Sequence, residues 1–139
     1  MKINNLLLNL SSKGNSDIID ITDQVSEMLQ ESGLKSGLMT AFAPSATSAI
    51  TTIEYESGCV SDFKRLFDEI VPVDQEYLHN LKWGDGNGHS HVRAALQKAS
   101  FSVPFEDSRL LLGTWQHIIF VDFDNRSRNR TLVVQLMGE

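Results

Sequence analysis

Nine consecutive residues, Trp83-Gly-Asp-Gly-Asn-Gly-His-Ser-His91, bring together three glycines, two histidines, an aspartate and an asparagine. An apolar core has no use for that composition. Glycine lowers the steric cost of positive φ and lets other groups approach the backbone, so such a segment can cradle a ligand while offering imidazole, carboxylate and amide groups. Three of the four histidines, His79, His89 and His91, fall inside this region or just before it. Three converging imidazoles would make a site for zinc or a similar divalent ion, with a coordination position left open for water or substrate. Asp85 or Glu54 would add a ligand or orient an imidazole from behind.

Convergence depends on where the next helix begins. Val92, Ala95, Leu96 and Ala99 repeat at helical spacing, and the Ser90 hydroxyl can cap a helix that starts just after it. Residues two apart diverge on a helix but share a side in an extended segment, so His89 and His91 meet only if the pair precedes the helix or straddles its start. His91 in a first turn feels the positive end of the helix dipole, which favours the neutral ring needed for ligation or for base chemistry. That same end, fronted by glycine amides, attracts phosphate or carboxylate. The spacing matches no standard zinc signature, and the plain alternative is a hydrogen-bonded polar loop. The segment lacks the acidic run and distal carboxylate of a calcium loop, and the lysine and hydroxyl residue of a Walker loop.

The elements that must position these groups alternate between strand and helix periods. Lys2 to Leu10 and Ser36 to Ala43 read as strands, and Ile21, Val25, Met28 and Leu29 form a helical stripe ended by Gly33. Ser48 to Glu56 reads as a strand with Ile50, Thr52 and Glu54 on one face, where desolvation would suit Glu54 to acid or base work. A helix from about Cys59 to Ile70 follows, closed by Pro72, with an irregular stretch from there to the glycine loop. The tail reads as β: Phe101 to Phe105, Arg109 to Leu112, Trp115 to Phe123 and Arg130 to Met137. These connections are too short for crossover helices. The expectation is a single α+β domain over residues 1–139, with mixed or antiparallel sheets and about three helices.

Gly113-Thr114 ahead of Trp115 and Gln116 suggests a bulge at a pocket wall, with Trp115 in the core. Arg126, Arg128 and Arg130 read as a solvated turn. Cys59 reads as a buried structural thiol, and a single cysteine excludes an internal disulfide framework. With 139 residues, 41% of them hydrophobic, one core is expected, and a net charge of −6 disfavours nucleic acid as a partner. No apolar run suits a membrane span, and no signal-peptide pattern opens the chain, so a cytoplasmic protein is expected.

Ordered blocks along nearly the whole chain resemble one family. They are Phe42-Ala-Pro-Ser-Ala-Thr-Ser-Ala-Ile-Thr-Thr-Ile-Glu54, Tyr77-Leu-His79, Asp85-Gly-Asn87-Gly-His-Ser-His91, Leu112-Gly-Thr-Trp-Gln116 and Gly138-Glu139. Together they look like the YjbQ-like family, whose members are often labelled secondary thiamine-phosphate synthases. The resemblance implies a compact α+β domain assembled as a trimer about a threefold axis, with a histidine-lined metal site near a subunit boundary. His79 and His91 correspond to its histidines, and Glu54, Asn87 and Gln116 to its polar positions. Where many members carry histidine in a His-Thr-Thr-Ala block, this chain has Ser45. A hydroxyl is a poor zinc ligand, so either metal binding is weakened or His89 supplies the third nitrogen, with Ser45, Thr47 and Ser48 lining a hydrogen-bonding wall.

The implied function is a thiamine-phosphate synthase-like transferase acting on small phosphorylated metabolites, with zinc or magnesium as the expected divalent ion. In it Glu54, His79 and His91 are the catalytic candidates. Ser45, Thr47, Asn87 and Gln116 are the binding candidates, and His79, His89 and His91 the metal candidates. The alternative is a trimeric protein that binds metal or a phosphometabolite without turnover.

Overall fold

A computed structural model describes residues 1–139. The chain runs β1 (Lys2–Ser12), β2 (Asp17–Asp20), α1 (Thr22–Ser32), β3 (Ser36–Phe42), β4 (Ser48–Ile53), α2 (Ser57–Ile70), α3 (Leu78–Trp83), α4 (Gly88–Gln97), β5 (Ser100–Glu106), β6 (Arg109–Leu110), β7 (His117–Asp122) and β8 (Arg128–Gly138). All strand pairs are antiparallel. They form a five-stranded sheet ordered β1-β8-β3-β5-β6 and a three-stranded sheet ordered β2-β7-β4. The expected α+β class with antiparallel sheets is what the chain forms, with four helices where the pattern indicated about three.

The smaller sheet is the middle layer. Along β7, Ile118 and Phe120 point one way into a core shared with Met39, Val103, Leu132, Val134 and Leu136 of the larger sheet and with Val25 and Leu29 of α1. Ile119 and Val121 point the other way, into a second core with Phe67 of α2 and Ala94 of α4. Burial on both faces explains why β7 is a continuous apolar run. β8 is buried on one face only, so Leu132, Val134 and Leu136 alternate with partly exposed residues.

Helix α1 ends where expected: Gly33 adopts φ 72°, and its N–H returns to the Gln30 carbonyl. Strand β2 is an addition the sequence reading lacked. It follows three successive left-handed residues, Gly14, Asn15 and Ser16, and the last two donate their N–H groups to the Asp124 and Asp122 carbonyls at 2.6 and 2.8 Å. Helix α3 occupies part of the stretch expected to be irregular, and β4 stops at Ile53, short of the expected Glu56.

Candidate functional site

The interior between the two sheets gives out at one end, and polar side chains take over there. Ser48 pairs with Asp122 across β4 and β7, and Arg130 lies one alternation beyond Leu132 on the inward face of β8. The Arg130 guanidinium meets Asp122 with Nε on Oδ2 at 2.8 Å and Nη2 on Oδ1 at 2.9 Å. Nη1 also donates to Ser45 Oγ at 3.0 Å and Nη2 to Thr47 Oγ1 at 2.8 Å. Two residues on, Asp124 accepts from Arg128 Nε at 2.9 Å, from Thr47 Oγ1 at 3.2 Å and from Asn87 Nδ2 at 3.3 Å. Both carboxylates are essentially sealed from solvent.

Burial works to raise the Asp124 carboxyl. The Asn125 N–H, the Asn87 amide and the Arg128 guanidinium outweigh it and hold the group below the usual carboxylate range. The hydrogen-bonded Asp122 carboxylate conversely pushes Arg130 up, against a smaller effect of burial. Arg128 and Arg130 are thus counter-ions to two buried aspartates and not the solvated turn expected of them. Sequence reasoning missed this network, although Asp122-x-Asp124 at the end of β7 and Arg128-x-Arg130 at the start of β8, on either side of one short connection between the two sheets, carry a mirrored signal.

The network fixes the Pro44 to Ser48 loop, and a cleft of about 300 Å³ opens beside it. Ser45, Ser48, His91 and Lys98 supply its polar lining, and Ala46, Ala94, Ala95 and Ala99 its apolar wall. The Ser48 hydroxyl and the Asn87 carbonyl oxygen are buried without a partner. His79 packs against His91 with ring centroids 4.4 Å apart and ring planes tilted by 38°. His79 Nδ1 lies 3.6 Å from Asp85 Oδ1, too long for a hydrogen bond, and is itself buried without a partner. Gly88 makes the junction of α3 and α4 possible, because a Cβ there would lie 2.5 Å from the Tyr77 Cβ.

His89 does not join this pair. Helix α4 starts at Gly88 with Asn87 in the N-cap position, so His89 and His91 are both helical and diverge. Ser90 does not cap: it is fully buried, and its hydroxyl donates to the Phe123 carbonyl. His89 lines a separate cleft with Ser16 and Arg93. Its ring is held below the usual imidazole range by burial first and the Arg93 charge second, with Asp124 opposing. The expected set of His79, His89 and His91 is therefore not assembled, and nowhere do three histidine, cysteine or carboxylate side chains converge to hold a metal ion.

Ser45, at the position of the expected family histidine, is bound to Arg130 instead. The donors present within one chain do not fit a protein-held zinc centre.

Glu54 and Gln116 lie elsewhere. Glu54 is exposed just past the end of β4, not on an inward strand face. It lies six positions from Ser48, roughly 20 Å of extended strand. The β4–β7 register ends at Ile53 opposite His117, so Glu54 and Gln116 both fall just past the far end of the small sheet. Gln116 is exposed and accepts from the Gly113 N–H at 2.7 Å. Trp115, expected in the core, is 70% exposed, and Cys59 is half-buried rather than buried. Thr47 and Asn87 do sit at the His91 end, tied through Asp124.

The fold and this cleft define a small two-sheet α+β protein with a pocket lined by one imidazole, His91. The family model described as UPF0047 protein YjbQ-like matches residues 7–139. The chain belongs to the YjbQ-like family. A UPF0047 protein of Methanothermobacter thermautotrophicus is 41% identical over 123 residues, covering 88% of this chain and 84% of that protein. The UPF0047 protein YugU of Bacillus subtilis is 36% identical over 132 residues, covering 94% and 97%. Among solved structures, a protein of unknown function from Sulfolobus solfataricus P2 superposes with a TM-score of 0.90 at 29% identity, covering 99% of this chain and all of that one. A hypothetical protein from Aeropyrum pernix K1 gives 0.89 at 29% identity, with full coverage of both. No helix of this chain is long and apolar enough to cross a membrane.

Proposed function

We propose that the His91 cleft binds a small phosphorylated metabolite and that the protein is a transferase of the thiamine-phosphate synthase type, working as a homotrimer in the cytoplasm. The observation that carries this reading is the cleft itself: two serine hydroxyls, an imidazole and an ammonium face one space whose other wall is four alanines. Hydroxyl and cationic donors suit phosphate oxygens, and a flat apolar wall suits a heteroaromatic ring.

In the proposed reaction a thiazole nitrogen attacks the methylene carbon of a hydroxymethylpyrimidine diphosphate. The C–O bond breaks, and its electron pair leaves with pyrophosphate. Lys98, Ser45 and Ser48 hold the departing phosphates, and His91, packed against His79, donates its ring N–H to an oxygen of the leaving group as a hydrogen bond. The alanine wall keeps water from the electron-poor methylene carbon. A divalent ion of the kind the resemblance implies would neutralise pyrophosphate. The chain's own residues do not make a centre for it, and no step above depends on one.

The trimer is supported by the outer face of the large sheet, which no element covers. Cross-strand partners there form apolar rows, Ile3, Met137 and Leu38, then Leu7, Val133 and Phe42. They are separated by a polar row in which Gln135 donates to Asn5 at 2.9 Å and Thr40 bonds Ser102 at 2.7 Å. Ile3 and Leu7 are more than half exposed, and an apolar strip of that breadth suits packing against another copy.

A specific observation favours the second reading, binding without turnover: Ser45 is committed to Arg130, and no carboxylate stands in the cleft. Incubating the protein with both phosphorylated precursors and magnesium separates the two. Thiamine phosphate formed, and lost in His91→Ala, supports the enzyme, whereas saturable precursor binding without product establishes the binding protein.

A further inference from the structure

On the opposite side of α4 from His91, a second polar cleft of about 140 Å³ is bounded by Ser16, Lys64, Asp68, His89 and Arg93. The transferase proposal does not use it. Arg93 forms its floor, with its side chain only 4% exposed. Nε and Nη2 donate to the Val71 carbonyl at 3.0 and 2.9 Å, Nη2 also meets Asp68 at 3.1 Å, and Nη1 donates to Ser16 Oγ at 3.1 Å. One Nη1 hydrogen is left over, and Ser16 Oγ, as an acceptor there, keeps its own hydrogen to donate. Asp68 is 69% exposed and holds its end of the ion pair weakly. Lys64 and Arg93 against Asp68 leave the cleft with one net positive charge.

The imidazole adds a second requirement. The Ser90 hydroxyl hydrogen goes to the Phe123 carbonyl, so toward His89 Nε2, 3.3 Å away, that oxygen acts as acceptor. His89 therefore carries its hydrogen on Nε2 and a lone pair on Nδ1. That Nδ1 is buried with no partner, in a side chain 3% exposed, and an unpaired buried acceptor is costly to keep. Burial and the neighbouring Arg93 keep the ring from satisfying itself by protonation. What enters here must bring negative charge to Arg93 and Lys64 and a hydrogen to Nδ1.

We propose that this cleft is a second, independent anion site that binds free phosphate, an oxyanion carrying its own hydroxyl hydrogen, and discriminates against sulfate. Oxygens of the anion accept from the spare Arg93 hydrogen, Ser16 Oγ and Lys64 Nζ, and its P–O–H donates to His89 Nδ1 after a small rotation of the ring toward the cleft it lines. The volume, equivalent to about four or five waters, suits an anion of that size rather than a whole nucleotide. Near neutral pH phosphate always bears at least one such hydrogen, and sulfate bears none.

The test is a titration of the whole protein labelled with ¹⁵N-histidine, using sodium phosphate and sodium sulfate at matched ionic strength, with the His89 signals assigned by their loss in His89→Gln. The expected result is a saturable shift of the His89 ring nitrogens with phosphate and none with sulfate. Lys64→Ala, an exposed position, should weaken phosphate binding about three- to fivefold with the melting temperature unchanged. Equal responses to both anions, no saturable response at His89, or an unchanged affinity in Lys64→Ala would each overturn the proposal. Shifts confined to His79 and His91 would also overturn it while leaving the reading of the first cleft standing.

Discussion

Replacing Arg130 by methionine keeps the apolar stem of the side chain and removes the charge that two sealed carboxylates depend on. Asp122 accepts two of its three side-chain hydrogen bonds from that guanidinium and retains only the Asp124 N–H, at 3.1 Å. Asp124 keeps Arg128, Thr47 and Asn87, so the damage concentrates at Asp122, which is 0% exposed. Breaking a buried pair on one side costs about 3–5 kcal/mol, because the remaining charge stays desolvated. For a chain of this size that corresponds to a fall in melting temperature of roughly 10–20 °C. Urea titration and calorimetry of the wild type, Arg130→Met and the double variant Arg130→Met/Asp122→Asn give the magnitude and its origin. The double variant should recover a large part of the loss, since an amide costs far less to bury than an unpaired carboxylate. A loss below about 1 kcal/mol, the range of exposed pairs, would refute the argument that this network replaces the core at the end of the sheets.

Two further outcomes follow from the same structure. Leu7→Lys combined with Phe42→Glu, both on one apolar row of the uncovered sheet face, should convert the proposed trimer to monomers in sedimentation velocity while the circular dichroism spectrum is kept. A trimer that survives the double charge would place the interface elsewhere. The depressed pKa of His89 sets a pH dependence. Below the ordinary imidazole value of 6.5 the unfolded chain takes up a proton that the folded ring refuses, so stability falls as pH drops through that value toward the folded pKa. His89→Gln should flatten the melting temperature across that acidic window, and an identical slope in the variant would assign the dependence to other groups.

How much of this was legible in the sequence depended on whether local pattern or distant partners decided each element. Gly33 ends α1 because its left-handed φ is a local property, and the alternation in β8 is local too. Strand β2 was hidden because Asp-Ile-Ile-Asp carries little alternation and its lead-in is held by carbonyls more than a hundred residues away. Trp115 read as core from its type, yet the loop before β7 holds it outside. For the site, the pairing of His79 with His91 and the place of Ser45, Thr47 and Asn87 beside it were readable from the loop and the resemblance. The fate of His89 was not, because it turned on whether α4 began just before it, at Gly88, or two residues after it, at His91. Glu54 shares its strand's alternation but falls beyond the strand's last ladder pair, and pattern alone does not reveal where pairing stops.

A crystal of the assembled protein grown with the thiazole phosphate tests the central claim most directly. The account requires phosphate density within hydrogen-bond distance of Ser45, Ser48 or Lys98, the ring against Ala94 and Ala95, and His91 facing the ligand. Full ligand occupancy at another location, with the His91 cleft holding only solvent, would contradict it.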